Sequence, residues 1–526
     1  MSENHHENYN NMTEKQKNRT IWSVITASSL GTLIEWYDFY IFGSLAIVLA
    51  TKFFPADNPT AAFLSTLATF AAGFVVRPFG ALFFGRLGDL IGRKYTFLVT
   101  LLIMGFSTFL IGCIPSYETI GFLAPVLVLI LRLLQGLALG GEYGGAATYV
   151  AEYAQPHRRG YWTSWIQTTA TAGLFISLIV ILVTKTSLST EEFDTWGWRV
   201  PFWISILMVG VSYIIRKNMK ESPLFAKAKS EGKTSKNPLK ESFGNKYNFK
   251  FVLLALFGAA MGQGVIWYTG QFYAMSFLQK VMNVESAQVD SLMATALFLG
   301  TPFFVVFGWL SDKIGRKAIM MTGMLVAIFA YRPIYDSMYK SVNLESKTVA
   351  SRGITEKRSA KIHKDIATDS LITFHKETVF TDGTLLKKDS IVHWSAAGPV
   401  MKDGKAEEPK VSQSVTLGDH TKWYLVFLVF IQVIFVTMVY GPIAAFLVEM
   451  FPVRIRYTSM SLPYHIGNGV FGGLLPAVAT YLVTVGKDAG HPTWYLEGLW
   501  YPIGVAAVCL LIGLVYLKNK NNNIHD

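Results

Sequence analysis

The chain has 526 residues, of which 51% are hydrophobic and only 16% are charged. So few charges cannot cover the surface of a soluble globule of this size, and the composition therefore predicts a membrane protein. The formal net charge of +12 does not indicate nucleic-acid binding, because no basic run is interleaved with aromatic residues on a soluble domain.

Apolar stretches long enough to cross a hydrocarbon core of about 30 Å recur along the whole chain. They predict twelve transmembrane helices, which begin near Ile21, Ala62, Tyr95, Phe122, Tyr161, Val200, Phe251, Ser291, Lys317, Tyr424, Thr458 and Trp494. The predicted organisation is a tail at 1–20, a first half at 21–216, a linker at 217–250, a second half at 251–518 interrupted at 335–422, and a tail at 519–526. Lys and Arg collect in the tails, the linker and the loops of one side, which predicts that both termini are cytoplasmic.

The first predicted helix carries two acidic residues, Glu35 and Asp38. Because they are three residues apart, they share a helix face about 60° wide, and both should point into one cavity. Charges inside this segment also argue against a cleaved signal peptide, whose apolar region is short.

A ten-residue motif occurs twice, once in each half of the chain. Gly85-Arg-Leu-Gly-Asp-Leu-Ile-Gly-Arg-Lys94 returns as Gly308-Trp-Leu-Ser-Asp-Lys-Ile-Gly-Arg-Lys317, each time between two apolar stretches. Such a repeat indicates two related membrane halves, an arrangement typical of secondary transporters. We expect its glycines to allow close helix approach and its charges to form a latch on the cytoplasmic face. The predicted gating residues are Gly85, Asp89, Arg93, Glu152, Arg159, Gly308, Asp312, Arg316, Glu449 and Arg456.

The fourth predicted helix has a polar stripe in an apolar setting. At about 100° per residue, four of its side chains fall within about a third of the helix circumference. They are Arg132, Gln135, Glu142 and Tyr143. A charge at membrane depth is costly unless it is paired or faces water, so we expect Arg132 to pair with Asp38 in proton coupling. Glu35 and Glu142 are further candidates for proton coupling, and the alternative for both is that they orient the fourth helix.

The stretch 335–422 lacks an apolar span and lies between the ninth and tenth predicted helices. In this topology it is outside the cytoplasm, because long loops translocate largely regardless of their charge. Alternating segments on either side of Asp382-Gly383, a dipeptide suited to a tight hairpin turn, predict a small β-rich element. This insert either collects substrate, binds a partner, or is a passive elaboration of a surface loop.

Polar and aromatic side chains of the pore-facing helices are candidates for substrate binding. Gln263, Trp267 and Gln271 recur every four residues and should share one side of the seventh helix. Arg77 adds a positive charge to that of Arg132 and favours a substrate that carries a carboxylate, although its place before a proline also suits a structural role. The full set of candidates is Arg77, Gln135, Tyr143, Gln167, Gln263, Trp267, Gln271, Tyr440, His465 and Asn468.

The two cysteines, Cys113 and Cys509, both fall within apolar stretches. They predict neither a disulfide framework nor a metal-ligand cluster, so we expect no metal and no cofactor. The sequence has no Gly-rich phosphate loop, no Ser/His/Asp arrangement and no sizeable soluble domain for catalysis, which argues against an enzyme.

Several of these motifs together resemble a known family. The repeated motif is similar to the cytoplasmic loop signature of the major facilitator superfamily. Three further stretches resemble its metabolite:proton symporter family, whose members carry α-ketoglutarate, citrate, shikimate, or proline and betaine. They are Leu33-Ile-Glu-Trp-Tyr-Asp-Phe-Tyr-Ile-Phe-Gly43, Arg77-Pro-Phe-Gly80 and Arg132-Leu-Leu-Gln-Gly-Leu-Ala-Leu-Gly-Gly-Glu-Tyr-Gly-Gly145. The resemblance covers the chain except its tails and the insert.

The resemblance implies an all-α membrane protein of two six-helix bundles that imports a small polar metabolite by alternating access, driven by the proton gradient. It implies a monomer in a bacterial inner membrane that acts on its substrate and protons without a cofactor. Asp38 and Arg132 match a carboxylate and an arginine of proton-coupled sugar carriers, where such a pair exchanges partners as the acid is protonated. A carboxylate-bearing organic acid is the expected substrate. The alternatives are a symporter for a proline- or betaine-type zwitterion and a sensor that binds its ligand through the insert.

Overall fold

The computed structural model describes residues 13–54, 65–66, 68–69, 72–362, 370–395, 398–402, 405–406 and 409–518. The predicted tail 519–526, residues 1–12 of the tail 1–20, and the start of the second predicted helix at Ala62 lie outside the described residues.

The described chain is mainly helical, and we label its main helices in chain order. They are α1 (Glu14–Ser44), α2 (Arg77–Leu90), α3 (Arg93–Ile111), α4 (Leu123–Tyr153), α5 (Pro156–Ser187), α6 (Gly197–Lys217), α7 (Lys246–Val281), α8 (Ser286–Ile314), α9 (Arg316–Ser341), α10 (Asp419–Glu449), α11 (Arg456–Asp488) and α12 (Trp494–Tyr516). Short helices lie at Ala46–Phe53, Tyr117–Ile120, Thr190–Thr195 and Pro223–Ser230.

Ten helices among the described residues are long and apolar enough to cross a membrane. Helix α1 and the short helix Ala46–Phe53 meet at an angle of 69° and are long and apolar enough only together, which gives eleven spans if this bent pair crosses as one. The predicted second span falls partly outside the described residues and ends as α2. The prediction of an all-α membrane protein with a small β-rich insert is confirmed.

The repeated motif produces the same tight junction in both halves. Gly92 joins α2 to α3 with a φ of 129°, and Gly315 joins α8 to α9 with a φ of 103°. Residues with a side chain rarely adopt such angles, which explains a glycine at this point of both copies. We call the end of the bundle that carries these two junctions the loop face.

Helices α7 and α11 come into close contact through glycines. A Cβ atom on Gly264 would lie 2.4 Å from the carbonyl oxygen of Gly467, so neither helix accepts a side chain here. Both helices also contain π turns, a departure from regular geometry that often occurs at functional sites. These turns are Leu256–Ala260, Thr269–Tyr273, Phe277–Val281 and Gly467–Gly472.

Among the described residues, the insert forms a five-stranded sheet and a separate two-stranded sheet at the end of the bundle opposite the loop face. Its strands are β1 (Val349–Ile362), β2 (Ser370–Phe380), β3 (Leu385–Ser395), β4 (Gly398–Pro399), β5 (Met401–Lys402), β6 (Lys405–Ala406) and β7 (Lys410–Thr416). Strands β1, β2 and β3 pair in antiparallel order, β7 pairs with the free edge of β3, and the predicted turn at Asp382-Gly383 joins β2 to β3. Strands β5 and β6 form the two-stranded sheet. The Val415 carbonyl accepts a 2.9 Å hydrogen bond from the Glu285 amide, which attaches the sheet to the α7–α8 connection.

The predicted boundaries of the insert, 335 and 422, are too wide. Helix α9 continues to Ser341 and α10 already begins at Asp419. Tyr335 is fully buried, and its hydroxyl donates a 2.8 Å hydrogen bond to the Thr269 carbonyl of α7. Tertiary packing against α7 thus extends α9 beyond its most apolar part.

Candidate functional site

A cavity of about 40 Å³ lies between the two halves of the bundle. Space of this size holds a few water molecules, and no metabolite fits it in this conformation. Its lining combines residues of α1, α2, α7, α10 and α11. The lining residues are Glu35, Trp36, Phe39, Phe74, Arg77, Trp267, Tyr268, Tyr440, Tyr464, His465, Asn468 and Gly469.

An ion pair forms the charged part of the cavity wall. The Arg77 Nη1 atom lies 3.3 Å from Glu35 Oε1, and the guanidinium stacks over the Phe74 ring at 4.2 Å. Both side chains are largely buried, at 16% and 9% exposure. Arg77 is therefore held at the cavity by one carboxylate contact and one aromatic contact, and a substrate carboxylate could replace the former.

Three nitrogen atoms of cavity-lining side chains are buried without a hydrogen-bond partner in the described part of the chain. They belong to Arg77 (Nε), Trp267 (Nε1) and His465 (Nε2). A buried polar atom without a partner costs roughly 1–3 kcal/mol, so such atoms are expected to meet a ligand or water. Two of the three are obligate donors, which suits a ligand with acceptor oxygens.

Asp38 and Arg132 form the predicted pair, but outside the cavity. Arg132 Nη1 lies 2.7 Å from Asp38 Oδ2, and its guanidinium stacks over the Phe42 ring at 4.1 Å. Asp38 Oδ1 also accepts hydrogen bonds from Gln135 Nε2 at 2.9 Å and Thr108 Oγ1 at 3.1 Å. The expectation that Glu35 and Asp38 point into one cavity is wrong, because only Glu35 lines it. Gln135 likewise binds this pair and does not line the cavity.

Glu142 does not join the Asp38–Arg132 pair, although it lies on the same helix as Arg132. It is fully buried and pairs with Arg216 of α6, whose Nη2 lies 2.6 Å from Glu142 Oε1. Thr100 donates a further 2.8 Å bond to the other carboxylate oxygen. Sequence reasoning missed Arg216 because it stands at the start of a basic stretch that reads as a linker. The Asp38–Arg132 and Glu142–Arg216 pairs are therefore separate buried ion pairs.

Aromatic side chains link the two halves beside the cavity. The ring of Tyr143 stacks on that of Tyr464 with centroids 3.8 Å apart, and the Tyr440 and Tyr464 hydroxyls are 2.6 Å apart. Gln167 donates a 2.7 Å hydrogen bond to the Tyr143 hydroxyl. On the other side, Trp36 meets Trp267 at 5.1 Å. Tyr143 and Gln167 therefore support the cavity wall without lining it.

The predicted stripe on α7 is only partly present. Gln263 is buried in a reciprocal pair with Asn468, with amide contacts of 3.1 Å and 3.0 Å, while Trp267 lines the cavity. Gln271 is buried but does not line the cavity. It lies in the π turn Thr269–Tyr273, whose wider turn changes the rotation that a regular α-helix would give this side chain.

The two motif copies hold the loop face closed in the same way. Asp89 accepts hydrogen bonds from the amides of Tyr457 (3.3 Å) and Thr458 (2.8 Å) at the start of α11. Asp312 accepts them from Gly160 (2.8 Å) and Tyr161 (2.7 Å) near the start of α5. Each aspartate of one half thus caps a helix of the other half, where the helix dipole favours a negative charge.

The glycines of the motif allow this approach. A Cβ on Gly85 would lie 2.9 Å from Thr458 Cα, and one on Gly308 would lie 2.3 Å from Ser164 Oγ. The predicted close contacts are therefore present, each between a helix of one half and a helix of the other.

The arginines of the loop face pair across the halves. Glu152 Oε1 lies 3.3 Å from Arg93 and 3.1 Å from Arg456 of the second half. In the other copy Glu449 Oε1 lies 3.0 Å from Arg316 and 3.6 Å from Arg159 of the first half. All ten predicted gating residues thus lie in this network or its glycine contacts, and we call the whole set the latch.

Comparisons with known proteins agree with this architecture. The sequence model described as "Sugar (and other) transporter" matches residues 23–246. The proline/betaine transporter of Escherichia coli (strain K12) is 37% identical over 94% of this chain and 83% of that protein. The alpha-ketoglutarate permease of the same organism is 29% identical over 96% of this chain and 95% of that protein. The match to the solved structure of the proton:xylose symporter XylE covers 96% of this chain and 98% of the symporter chain, with a TM-score of 0.63 at 15% sequence identity.

Proposed function

Because the chain belongs to the metabolite:proton symporter family of the major facilitator superfamily, we propose that it imports a small carboxylate-bearing metabolite together with protons. The observation that carries this proposal is the cavity between the halves, with its Glu35–Arg77 pair and its unpartnered donors. Organic-acid uptake of this kind also fits the alpha-ketoglutarate permease among its relatives.

The substrate carboxylate is proposed to bind Arg77. Arginine presents several donors in a fixed plane and suits a carboxylate better than lysine does. The Nε1–H group of Trp267 would then gain the acceptor that it lacks, and the Nε2 atom of His465 would gain a hydrogen-bond partner. Glu35 would lose its partner to the substrate, so substrate arrival and the charge state of Glu35 are linked.

A zwitterion with a bulky cation is the second candidate, because the cavity wall is rich in aromatic rings. Trp36, Tyr268 and Tyr440 line it beside the charged pair. Aromatic faces attract ammonium groups by roughly 0.5–2 kcal/mol, and more so when water is excluded. The proline/betaine transporter is also the relative with the higher identity of the two described above. Both candidates share the carboxylate, and they differ in what faces the rings.

Proton coupling is proposed to use the Asp38–Arg132 pair. The ionised carboxylate holds the guanidinium at 2.7 Å, and protonation would remove the charge that holds it there. Thr108 and Gln135 bind the same carboxylate and would fix its position in both states. Glu35 is the second proposed coupling group, since its partner Arg77 is the group that a substrate would take. The separate pair of Glu142 and Arg216 is proposed to hold α4 to α6.

Alternating access requires that the latch opens and closes. In this conformation the latch is formed, so release on the loop face needs the contacts of Asp89 and Asp312 to break. The distribution of Lys and Arg supports a cytoplasmic loop face, with the insert on the outer side of a bacterial inner membrane. We further propose that the protein works as a monomer.

Uptake by purified protein in proteoliposomes tests the proposal. With an inward proton gradient, labelled α-ketoglutarate, citrate, proline and glycine betaine are each offered, and one should accumulate. Arg77→Gln should weaken its binding about 10- to 100-fold, because a charge-assisted hydrogen bond contributes roughly 1.5–3 kcal/mol. Arg86→Gln on the same helix is the control, since Arg86 is exposed on the loop side.

The two candidate substrate classes respond differently to the aromatic wall. Tyr268→Leu should weaken binding of betaine several-fold and leave a dicarboxylate nearly unaffected, because only the betaine places a cation against the ring. If no compound is moved while a ligand still binds the insert, the sensor alternative replaces the transporter.

A further inference from the structure

A second and much larger cavity lies at the loop face and not in the transport pathway. Its volume is about 630 Å³, against about 40 Å³ for the cavity between the halves. Three elements enclose it: the linker from Leu224 to Thr234, the first turns of α7, and the connection Met450–Arg454 between α10 and α11. None of its lining residues has a role in the transport mechanism proposed above.

Positive side chains and an apolar floor characterise this cavity. Lys227, Lys233 and Arg454 line it with a single carboxylate, Glu231, so its lining carries a net positive charge. Phe251 presents a half-buried apolar side chain to it, while Phe451 is buried in the core behind the wall. Cavities of roughly 300–1,000 Å³ are typical of small-molecule sites.

The carboxylate in the wall does not neutralise all three cations. Glu231 lies 2.7 Å from Lys233 and 3.9 Å from Lys227, while Arg454 lies 3.5 Å from Glu241 outside the cavity lining. These pairs are at least one-third exposed on both sides, where an ion pair contributes little and is easily exchanged. A ligand with several negative charges can therefore take over the cations.

We propose that this cavity is a regulatory site for an organic phosphate, with the phosphate groups on Lys227, Lys233 and Arg454 and the organic part against Phe251. Lysine and arginine are the side chains that bind phosphate most readily. A free phosphate ester and the headgroup of an anionic lipid share this chemistry, and both occur at a cytoplasmic membrane face.

Occupancy of the site is coupled to the latch through the cavity walls. The linker wall is fixed to the first half, because Phe225 packs 4.2 Å from the Arg93 guanidinium and Glu221 accepts a 3.2 Å bond from the Arg93 amide. The opposite wall belongs to the second half, and its Val453 carbonyl accepts a 2.6 Å hydrogen bond from Arg93 Nη2. Opening the latch must therefore separate the two walls of the cavity.

A ligand that needs both walls binds the closed latch more tightly than the open one. It shifts the population toward the closed loop face by its difference in affinity for the two states. Release of substrate on the loop face should slow as the site fills. The organic phosphate would thus inhibit import from the side on which the substrate accumulates.

The test uses the full-length protein, with ATP and inorganic pyrophosphate as probes and adenosine as the uncharged comparison. Titration calorimetry in detergent should detect binding of ATP, and Lys227→Gln/Lys233→Gln should weaken it at least 10-fold. Lys229→Gln/Lys236→Gln removes two nearby exposed charges that do not line the cavity, and it should bind ATP normally. The proposed phosphate site would be refuted if adenosine bound as tightly as ATP, or if both double variants lost ATP binding to the same extent.

A second measurement separates the two sources of phosphate. ATP binding is compared in nanodiscs of zwitterionic lipid and in nanodiscs that also contain phosphatidylglycerol. If ATP binds only in the zwitterionic nanodiscs, the site is assigned to a lipid headgroup. If ATP binds equally in both, the site is assigned to a soluble ester. ATP on the loop-face side of proteoliposomes should slow substrate counterflow at least 3-fold in the wild type and not in Lys227→Gln/Lys233→Gln. ATP binding without any change in counterflow would overturn the regulatory role. The binding experiments do not use the transported metabolite, so they are decided independently of the proposed substrate.

Discussion

Replacing Asp38 by asparagine separates proton coupling from substrate movement. The exchange keeps the shape of the side chain and removes the charge that Arg132 meets at 2.7 Å in a buried setting. Breaking a buried ion pair by removing one partner costs about 3–5 kcal/mol, mainly because the remaining charge is left uncompensated. Arg132 keeps the Gln135 oxygen at 2.7 Å and the Phe42 ring at 4.1 Å, so we expect the lower end, about 3 kcal/mol.

The assay for Asp38→Asn is paired. Proton movement is recorded with a pH electrode during substrate addition, and counterflow of labelled substrate is measured in the same proteoliposomes. Accumulation and proton movement should both be lost, because the carboxylate can no longer bind and release a proton. Counterflow should persist, since exchange of substrate against substrate needs the conformational change but no net proton transfer.

A matched variant makes this reasoning refutable. Glu142→Gln removes the same charge from a separate buried pair of the first half, whose partner Arg216 lies at 2.6 Å. It should destabilise the protein to a similar degree while proton movement continues. Normal accumulation by Asp38→Asn would refute its role in coupling and move the assignment to Glu35. If Glu142→Gln alone lost proton movement, the coupling role would belong to the Glu142–Arg216 pair.

Three further predictions address the gate, the insert and the motif glycine. Asp89→Asn should weaken the cap on α11 and raise the labelling rate of a cysteine probe at the loop face, and Asp312→Asn should act in the same way on the cap of α5. Unchanged labelling together with weaker substrate binding would instead assign Asp89 to the substrate site. Replacing residues 347–413 by a short Gly/Ser linker should leave maximal uptake within a few-fold, because the contacts to the α7–α8 connection are retained; total loss in a correctly inserted protein would make the insert part of the mechanism. Gly92→Ala should lower stability by about 1–3 kcal/mol in thermal unfolding, because its φ of 129° is strained for any side chain, whereas Gly210→Ala, with open space around it, should not.

Features that depend on local sequence could be predicted without coordinates. Helix positions follow from apolar length, and the two halves follow from the repeated motif, whose close glycine contacts at Gly85 and Gly308 are present. The Asp38–Arg132 pair was also predictable, since two opposite charges buried in one half need partners and both lie on helix faces with other polar residues. The turn at Asp382-Gly383 followed from turn chemistry alone.

Tertiary packing decided which charges and amides actually meet. Glu142 pairs with Arg216 and not with Arg132, because the contact depends on how α4 and α6 are rotated against each other. Glu152 meets Arg456 of the other half, and Gln271 is moved from the predicted stripe by a π turn that no residue pattern indicates. Sequence periodicity determines the face of a helix, whereas the partner of that face is set by the tilt and rotation of helices hundreds of residues apart. These quantities arise from the packing of the whole bundle, and only the folded structure contains them.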